Sequence, residues 1–115
     1  MMKKKFILSK NKEINLIFKH DKNSVANYFF KIYYVNCAKT LNFKFALSIN
    51  KRYGKSHERN LIKRRIRAII YNYYSVLKPN AFFIIIIKPT ARQLNFVDLS
   101  EKLSVLLRKA RLISS

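Results

Sequence analysis

Apolar and polar side chains alternate most clearly between residues 41 and 50. The apolar positions are Phe43, Phe45, Leu47 and Ile49, and they are separated by Lys44, Ala46, Ser48 and Asn50. Since neighbouring side chains of a strand point to opposite faces, this pattern predicts a strand with one buried face. Residues 27–35 are aromatic or β-branched almost throughout and predict a second strand. The short connection at residues 37–40 favours an antiparallel hairpin between the two.

A continuous apolar run and three amphipathic segments complete the pattern. Residues 81–87 read Ala-Phe-Phe-Ile-Ile-Ile-Ile, which is typical of a strand covered on both faces. Apolar residues at three-and-four spacing predict helices at residues 10–20, from about residue 57 to residue 78, and after Asn95. Asn95 can cap the last helix, and Asp98 lies in the capping-box position. The core positions expected in that helix are Phe96, Leu99, Leu103, Leu106, Leu107 and Ala110.

The predicted order of elements is α-β-β-α-β-α. This order is typical of an α+β domain in which helices pack on a small, mostly antiparallel sheet. At 115 residues the chain has the length of one domain, so we assign residues 1–115 to a single domain. Residues 1–8 are expected to form a flexible basic N-terminal segment, and residues 21–24 a turn.

The middle helix separates its apolar residues from its basic residues. At about 100° per residue, an arc of about 60° contains Ile62, Ile66, Ile69 and Tyr73, which predicts the stripe that faces the core. An arc of about 140° beside it contains Arg59, Asn60, Lys63, Arg64 and Arg67. No acidic residue follows any of these five at i+4, so the helix does not neutralise them internally. A merely solvated charged face is the alternative interpretation.

A basic loop precedes that helix. It contains Lys51, Arg52 and Gly54, which is the only glycine of the chain. Because glycine is so rare here, its position predicts a positive φ angle or a close backbone approach.

The charge balance identifies the partner class. The chain has 25 Lys and Arg against 5 Asp and Glu, a formal net charge of +20. Excess charge of this size repels itself in the folded state and favours a polyanionic partner, with nucleic acid the leading candidate. Nine Phe and seven Tyr supply material for a core, which argues against a disordered basic tail.

The sequence offers no catalytic or metal-binding cluster. The acids are scattered, and Glu58 is the only one between Asp21 and Asp98. The single cysteine, Cys37, excludes an internal disulfide and fits the reducing cytoplasm. The start of the chain has no signal-peptide pattern, and the seven apolar residues 81–87 are too few to cross a bilayer as a helix. We expect neither a membrane nor a small-molecule substrate.

An ordered set of motifs resembles the bacterial ribonuclease P protein component over roughly residues 8–113. The most specific motif follows the basic loop and reads Arg59-Asn60-x-Ile62-Lys63-Arg64-x-Ile66-Arg67. Weaker motifs come in the family's order: Leu8-x-Lys10-Asn11, Ile17-Phe18-Lys19-His20, Ser24-Val25-Ala26-Asn27, Lys88-Pro89 and Gln93-Leu94.

The resemblance implies the protein subunit of a ribonucleoprotein endonuclease. In that family the RNA subunit, with Mg²⁺, cuts precursor tRNA at the mature 5′ end and the protein binds RNA, so residues 1–115 are expected to form one RNA-binding domain. No catalytic residue and no metal site are inferred in this protein. The family also implies a parallel strand pair joined through the basic helix by a left-handed crossover. The implied RNA-subunit contacts are Lys51, Arg52, Arg59, Asn60, Lys63, Arg64 and Arg67. The 5′ leader would lie in a cleft lined by Ile14, Phe18 and Tyr33.

Three residues depart from the family pattern. Leu61 replaces the second Arg of an Arg-Asn-Arg motif, Ile14 replaces an aromatic residue of the cleft, and Ile87 replaces a frequent basic residue. Arg65 adds a charge near Leu61 in sequence but is expected on a different part of the wheel.

Other classes of protein also explain the charge. The chief alternative is a ribosomal or other structural RNA-binding protein with no role in cleavage, and a second is a DNA-binding protein. A helix that lies on a membrane surface is disfavoured, because the basic helix also carries a well-defined core stripe.

Overall fold

The computed structural model describes residues 23–36, 43–73, 75–78 and 81–113. Their strands and α-helices are β1 (Ser24–Ala26), β2 (Phe30–Asn36), β3 (Lys44–Ile49), α1 (Ser56–Asn72), β4 (Ala81–Ile87) and α2 (Phe96–Lys109). Short 3-10 helices at Lys51–Tyr53 and Pro89–Gln93 precede α1 and α2. The predicted helix at residues 10–20, the segment 1–8 and the connection 37–40 lie outside the described residues.

The four strands form one mixed sheet in the order β1-β2-β4-β3. β4 pairs antiparallel with β2 and parallel with β3, so the predicted hairpin between β2 and β3 is wrong. β4 has no polar residue, which suits its place at the centre of the sheet. A central strand is paired along both edges and buried on both faces. The α+β class and the parallel pair joined through the basic helix are confirmed. The left-handed crossover stays a prediction.

The chain reverses between β1 and β2 at Asn27, which was predicted as the first residue of a strand. Residues 21 and 22 of the predicted turn lie outside the described residues. The Asn27 side-chain oxygen accepts hydrogen bonds from the backbone N–H groups of Phe29 and Phe30, each at 2.8 Å. Ser24, which was predicted in the turn, is the first residue of β1 and pairs with Tyr33. A strand of three residues is too short to show an alternating pattern in the sequence.

One face of the sheet packs with both helices in the main core. Phe45 and Phe83, partners in the parallel register, have stacked rings with centroids 5.6 Å apart. Phe43, Leu47 and Ile49 lie on the same side, as the alternation predicts. The helices add two buried rows: Ile62, Ile66, Ile69 and Ile70 from α1, and Leu99, Leu103, Leu106 and Leu107 from α2.

The second face of the sheet is apolar at its centre. Phe82 and Ile84 of β4 and Val35 of β2 are buried there. Phe83 and Ile85 are buried on the opposite face, which confirms the prediction that β4 is covered on both faces.

α2 begins as the sequence predicts. The Asn95 side chain accepts a hydrogen bond from the backbone N–H of Asp98 at 2.8 Å, and Arg108 and Lys109 occupy the last turn. Phe96, which was expected in the core, is 42% exposed. It is the first residue of the helix. At a helix end, a side chain on the apolar side of the helix does not necessarily reach the sheet.

Candidate nucleic-acid interface

The basic loop before α1 is fixed at two points. The Asn50 side chain accepts a hydrogen bond from the backbone N–H of Arg52 at 2.9 Å, which starts the 3-10 helix. Tyr53 at its end is buried in the main core. Lys51 and Arg52 are exposed between these anchors, so the two predicted loop contacts face solvent on a short, held segment.

Gly54 and Glu58 shape the entry into α1. Gly54 has a φ of 158°, and a Cβ placed on it would lie 2.8 Å from Oε1 of Glu58. The same oxygen accepts a hydrogen bond from the backbone N–H of Lys55 at 3.0 Å, which satisfies a donor at the helix start. The close approach predicted for the single glycine is therefore made to Glu58.

Glu58 also ties α1 to the segment that follows β4. Its Oε2 lies 2.7 Å from Nη2 of Arg92. The hydrogen bond from the Lys55 N–H, followed by the nearby Arg92 charge, lowers the pKa of Glu58 below its ordinary value. No sequence pattern pointed to Arg92 as a partner of Glu58, because the two residues are 34 positions apart.

The core-facing stripe of α1 is confirmed and is wider than predicted. Ile62, Ile66 and Ile69 are at most 2% exposed, and Tyr73 is half-buried. Ile70 is also completely buried. Its spacing of four from Ile66 is the signal that could have found it.

The basic arc, which we define as Arg59, Asn60, Lys63, Arg64 and Arg67, lies beside this stripe. Asn60, Arg64 and Arg67 are exposed, whereas Arg59 and Lys63 are half-buried. Among the described residues, no acidic side chain forms an ion pair with any member of the arc. The Nε atom of Arg59 is buried and has no hydrogen-bond partner among the described residues. The Arg59 charge therefore lies un-neutralised at the inner edge of the arc.

Of the three residues predicted for the leader cleft, the structure describes one. Tyr33 lies half-buried on the second face of the sheet, packed against the cluster of Val35, Phe82 and Ile84. Nζ of Lys31 lies 4.7 Å from the centre of the Tyr33 ring. Ile14 and Phe18 lie outside the described residues, so the cleft itself stays a prediction.

A recess borders α1 on the side of the core stripe that faces away from the basic arc. We call it the flank hollow; it has a volume of about 350 Å³. Seven residues line it: Tyr53, His57, Glu58, Leu61, Ile62, Arg65 and Arg92. Burial raises the pKa of the Tyr53 phenol above its ordinary value, against the opposing effect of the Arg92 and Arg65 charges. The Tyr53 hydroxyl therefore keeps its proton at neutral pH and can donate a hydrogen bond.

Two of the departures from the family pattern occupy different surroundings. Leu61 is 43% exposed, and Arg65, one turn later, borders the same hollow. The expectation that Arg65 lies apart from Leu61 is therefore wrong, because residues four apart share a helix surface. Ile87 is only 1% exposed on the main-core face, where a basic side chain would be buried.

Neither metal ligation nor a membrane span is indicated by the part of the chain that the structure describes. Within it, no three His, Cys, Asp or Glu side chains come together as a group that could hold a metal ion. Likewise, none of its helices is long and apolar enough to cross a membrane.

Comparison with known proteins gives one consistent result. The family model described as Ribonuclease P matches residues 2–111. The ribonuclease P protein component of Phytoplasma australiense is 49% identical over 99% of this chain and 98% of its own length. That of Acholeplasma laidlawii is 38% identical over 97% and 95%. A solved Staphylococcus aureus RNase P protein, a mutant with defective mRNA degradation activity, has a TM-score of 0.88 at 27% identity, covering 96% of this chain and 92% of that one.

Proposed function

Because this chain belongs to the ribonuclease P protein family, we propose that it binds the RNA subunit of ribonuclease P and promotes removal of the 5′ leader from precursor tRNA. Ribonuclease P and tRNA processing follow from the family. The proposal adds the individual contacts, the division of labour with the RNA, and a cytoplasmic site of action.

The observation that carries the proposal is the unneutralised basic arc on α1. Arg64 and Arg67 are exposed beside Asn60, on a helix that Ile62, Ile66 and Ile69 hold against the sheet. A rigid helix loses little freedom when it docks, so its cations can meet several phosphates at fixed spacing. Asn60 adds a paired donor and acceptor, which a purely electrostatic surface would not need. Lys51 and Arg52 extend the same contact from the loop.

Leader binding is the second part of the proposal. Single-stranded RNA is held by cations that follow its backbone and by aromatic faces on which bases stack. Tyr33 and Lys31 place an aromatic ring and a cation together on the second face of the sheet. With Phe18 and Ile14 they would line the cleft that holds the 5′ leader of precursor tRNA.

The chemistry of cleavage is assigned to the RNA subunit. Mg²⁺ bound by that RNA would supply the Lewis acid that activates water and stabilises the leaving oxygen. The proposal places no Mg²⁺ ligand on the protein, and no group of three or more His, Cys, Asp or Glu side chains that could hold a metal ion occurs among the described residues. The protein's own part is to bind and position two RNAs.

Reconstitution tests the proposal. The chain is added to a ribonuclease P RNA at low Mg²⁺, and cleavage is followed on precursor tRNAs with long and short leaders. We expect faster cleavage with the protein, and a larger effect on the long-leader substrate because only that substrate fills the cleft. The buffer-matched RNA alone is the control.

Two outcomes would favour the other classes. If the chain binds the RNA but cleavage is not stimulated, it is a structural RNA-binding protein. If duplex DNA outcompetes structured RNA for binding, the chain is a DNA-binding protein. Both are compared at the same salt concentration, because salt changes both affinities.

A further inference from the structure

The flank hollow carries chemistry that the basic arc does not use. Leu61 is 43% exposed on α1, one turn before Arg64 and Arg65, where folding gives no reason for a large apolar side chain. Ile62 is buried beside it, and Tyr53 closes the recess from the loop before α1. The recess therefore has an apolar wall, and its volume of about 350 Å³ lies within the range of small-molecule sites.

The charges around the hollow leave one cation available. Glu58 is engaged through both carboxylate oxygens, one by the Lys55 N–H and the other by Arg92. Arg65, in contrast, makes no hydrogen bond or ion pair within the described parts of the chain. A guanidinium is suited to a phosphate because its planar set of donors matches two phosphate oxygens at once.

We propose that the flank hollow binds one unstacked ribonucleotide of an RNA partner, with the base against Leu61 and the phosphate on Arg65. A nucleotide combines an apolar ring face with an adjacent anion, which is the combination that the hollow offers. Tyr53 and His57, which also line the hollow, carry side-chain groups that can form hydrogen bonds. Proteins read RNA largely through such splayed bases, which lie in loops and bulges.

This inference rests on the proposed function and sharpens it. The basic arc and the flank hollow lie on opposite sides of the core stripe of α1, so RNA would contact the helix along both. The cations of the arc would meet phosphates, whereas the hollow would also select for an unpaired base.

The test uses the full chain labelled with ¹⁵N and titrated with adenosine 5′-monophosphate. We expect saturable shifts of the amide signals of His57, Leu61, Arg65 and Arg92. Inorganic phosphate in a parallel titration should bind at least about tenfold more weakly, because it cannot use the apolar wall. Equal binding of phosphate and the nucleotide would overturn the proposal, as would nucleotide-induced shifts confined to other regions.

Variants separate a built site from diffuse attraction. Arg65→Gln should weaken nucleotide binding by about tenfold, because a charge-assisted hydrogen bond is lost, and Leu61→Ser should weaken it several-fold. The matched control is Arg108→Gln, which removes the same charge from the exposed last turn of α2 and should change binding less than about twofold. Equal losses in Arg65→Gln and Arg108→Gln would overturn the proposal, and an unchanged thermal midpoint excludes unfolding.

Failure of this proposal differs from failure of the proposed function. If reconstituted cleavage is stimulated while the nucleotide does not bind, only the flank hollow is refuted. If cleavage is not stimulated but the nucleotide binds as described, the hollow stands as a ribonucleotide site and the role in precursor tRNA cleavage is refuted.

Discussion

The two α-helices bury similar apolar rows but place their charges in opposite ways. α2 has Asn95 as a side-chain cap, Asp98 in its first turn, and Arg108 and Lys109 in its last turn. Each of these choices favours the helix, since acids suit its positive end and bases its negative end. Asp98 also lies four residues before Lys102, which is a favourable spacing for opposite charges.

α1 shares only one of these advantages, the acid Glu58 in its first turn. No basic residue lies in its last turn, and its N-cap residue, Lys55, has no side-chain oxygen that could accept a hydrogen bond. Arg59, Lys63 and Arg67 instead follow one another at i+4, where like charges destabilise a helix by about 0.2–0.5 kcal/mol per pair. The charges of α2 are explained by folding, whereas most of those of α1 are not.

The largest effects on stability are expected from substitutions in the core, where the two helices should be equivalent. Ile66→Ala in α1 and Leu103→Ala in α2 each remove a completely buried side chain. Each should lower the free energy of unfolding by about 2–5 kcal/mol, because a cavity is left. Urea unfolding measures this, with exposed Lys102→Ala as the control. A loss below about 1 kcal/mol for Ile66→Ala would show that α1 is not anchored to the sheet.

RNA binding should separate the two helices. Arg64→Ala and Arg67→Ala should each weaken binding to a ribonuclease P RNA and reduce the slope of log affinity against log salt by about 0.9, because one phosphate contact is lost. Arg108→Ala and Lys109→Ala in α2 remove the same charge and should leave the slope nearly unchanged. If the variants of α1 and of α2 reduced the slope equally, only the net charge of the protein would matter for RNA binding. Filter binding over a range of salt concentrations provides the measurement.

The features that the sequence predicted are those set by near neighbours. The alternation around Phe45, the cap at Asn95 and the stripe through Ile62 and Ile66 depend on residues within one or two turns or strand positions. These predictions agree with the structure because backbone geometry determines which neighbouring side chains share a face.

What the sequence did not predict depends on distant contacts. The insertion of β4 between β2 and β3 brings together segments separated by a helix, and alternation says nothing about strand order. The Glu58–Arg92 ion pair and the flank hollow likewise join α1 to a segment that follows β4. For the basic arc, the sequence predicted that these residues share one side of α1, but Arg59 and Lys63 are half-buried. Which residues of the arc contact RNA stays a prediction.

The caps should differ in their contribution to stability. Asn95→Ala removes the oxygen that accepts the Asp98 N–H and should cost about 1 kcal/mol. Lys55→Ala, at the corresponding position of α1, should change stability by less than about 0.5 kcal/mol because no cap bond is lost. Chemical unfolding at neutral pH compares them directly. Equal losses would contradict the conclusion that only α2 is capped by its N-cap side chain.

The smallest effect concerns Glu58, which takes over the capping function in α1. Its pKa is lowered below the ordinary value of 4.5, first by the Lys55 N–H and then by Arg92. A depressed pKa in the folded state means that the carboxylate stabilises the fold above pH 4.5 and that this contribution disappears as the pH falls through the lower, folded value. The stability difference between the native chain and Glu58→Gln should therefore be present at neutral pH and shrink in acid, as followed by thermal unfolding at several pH values. Glu101→Gln, whose side chain is exposed on α2, is the charge-matched control. A difference for Glu58→Gln that persists undiminished into acid would show that the lost ion pair with Arg92 does not stabilise the start of α1, and that the amide alone changes its packing.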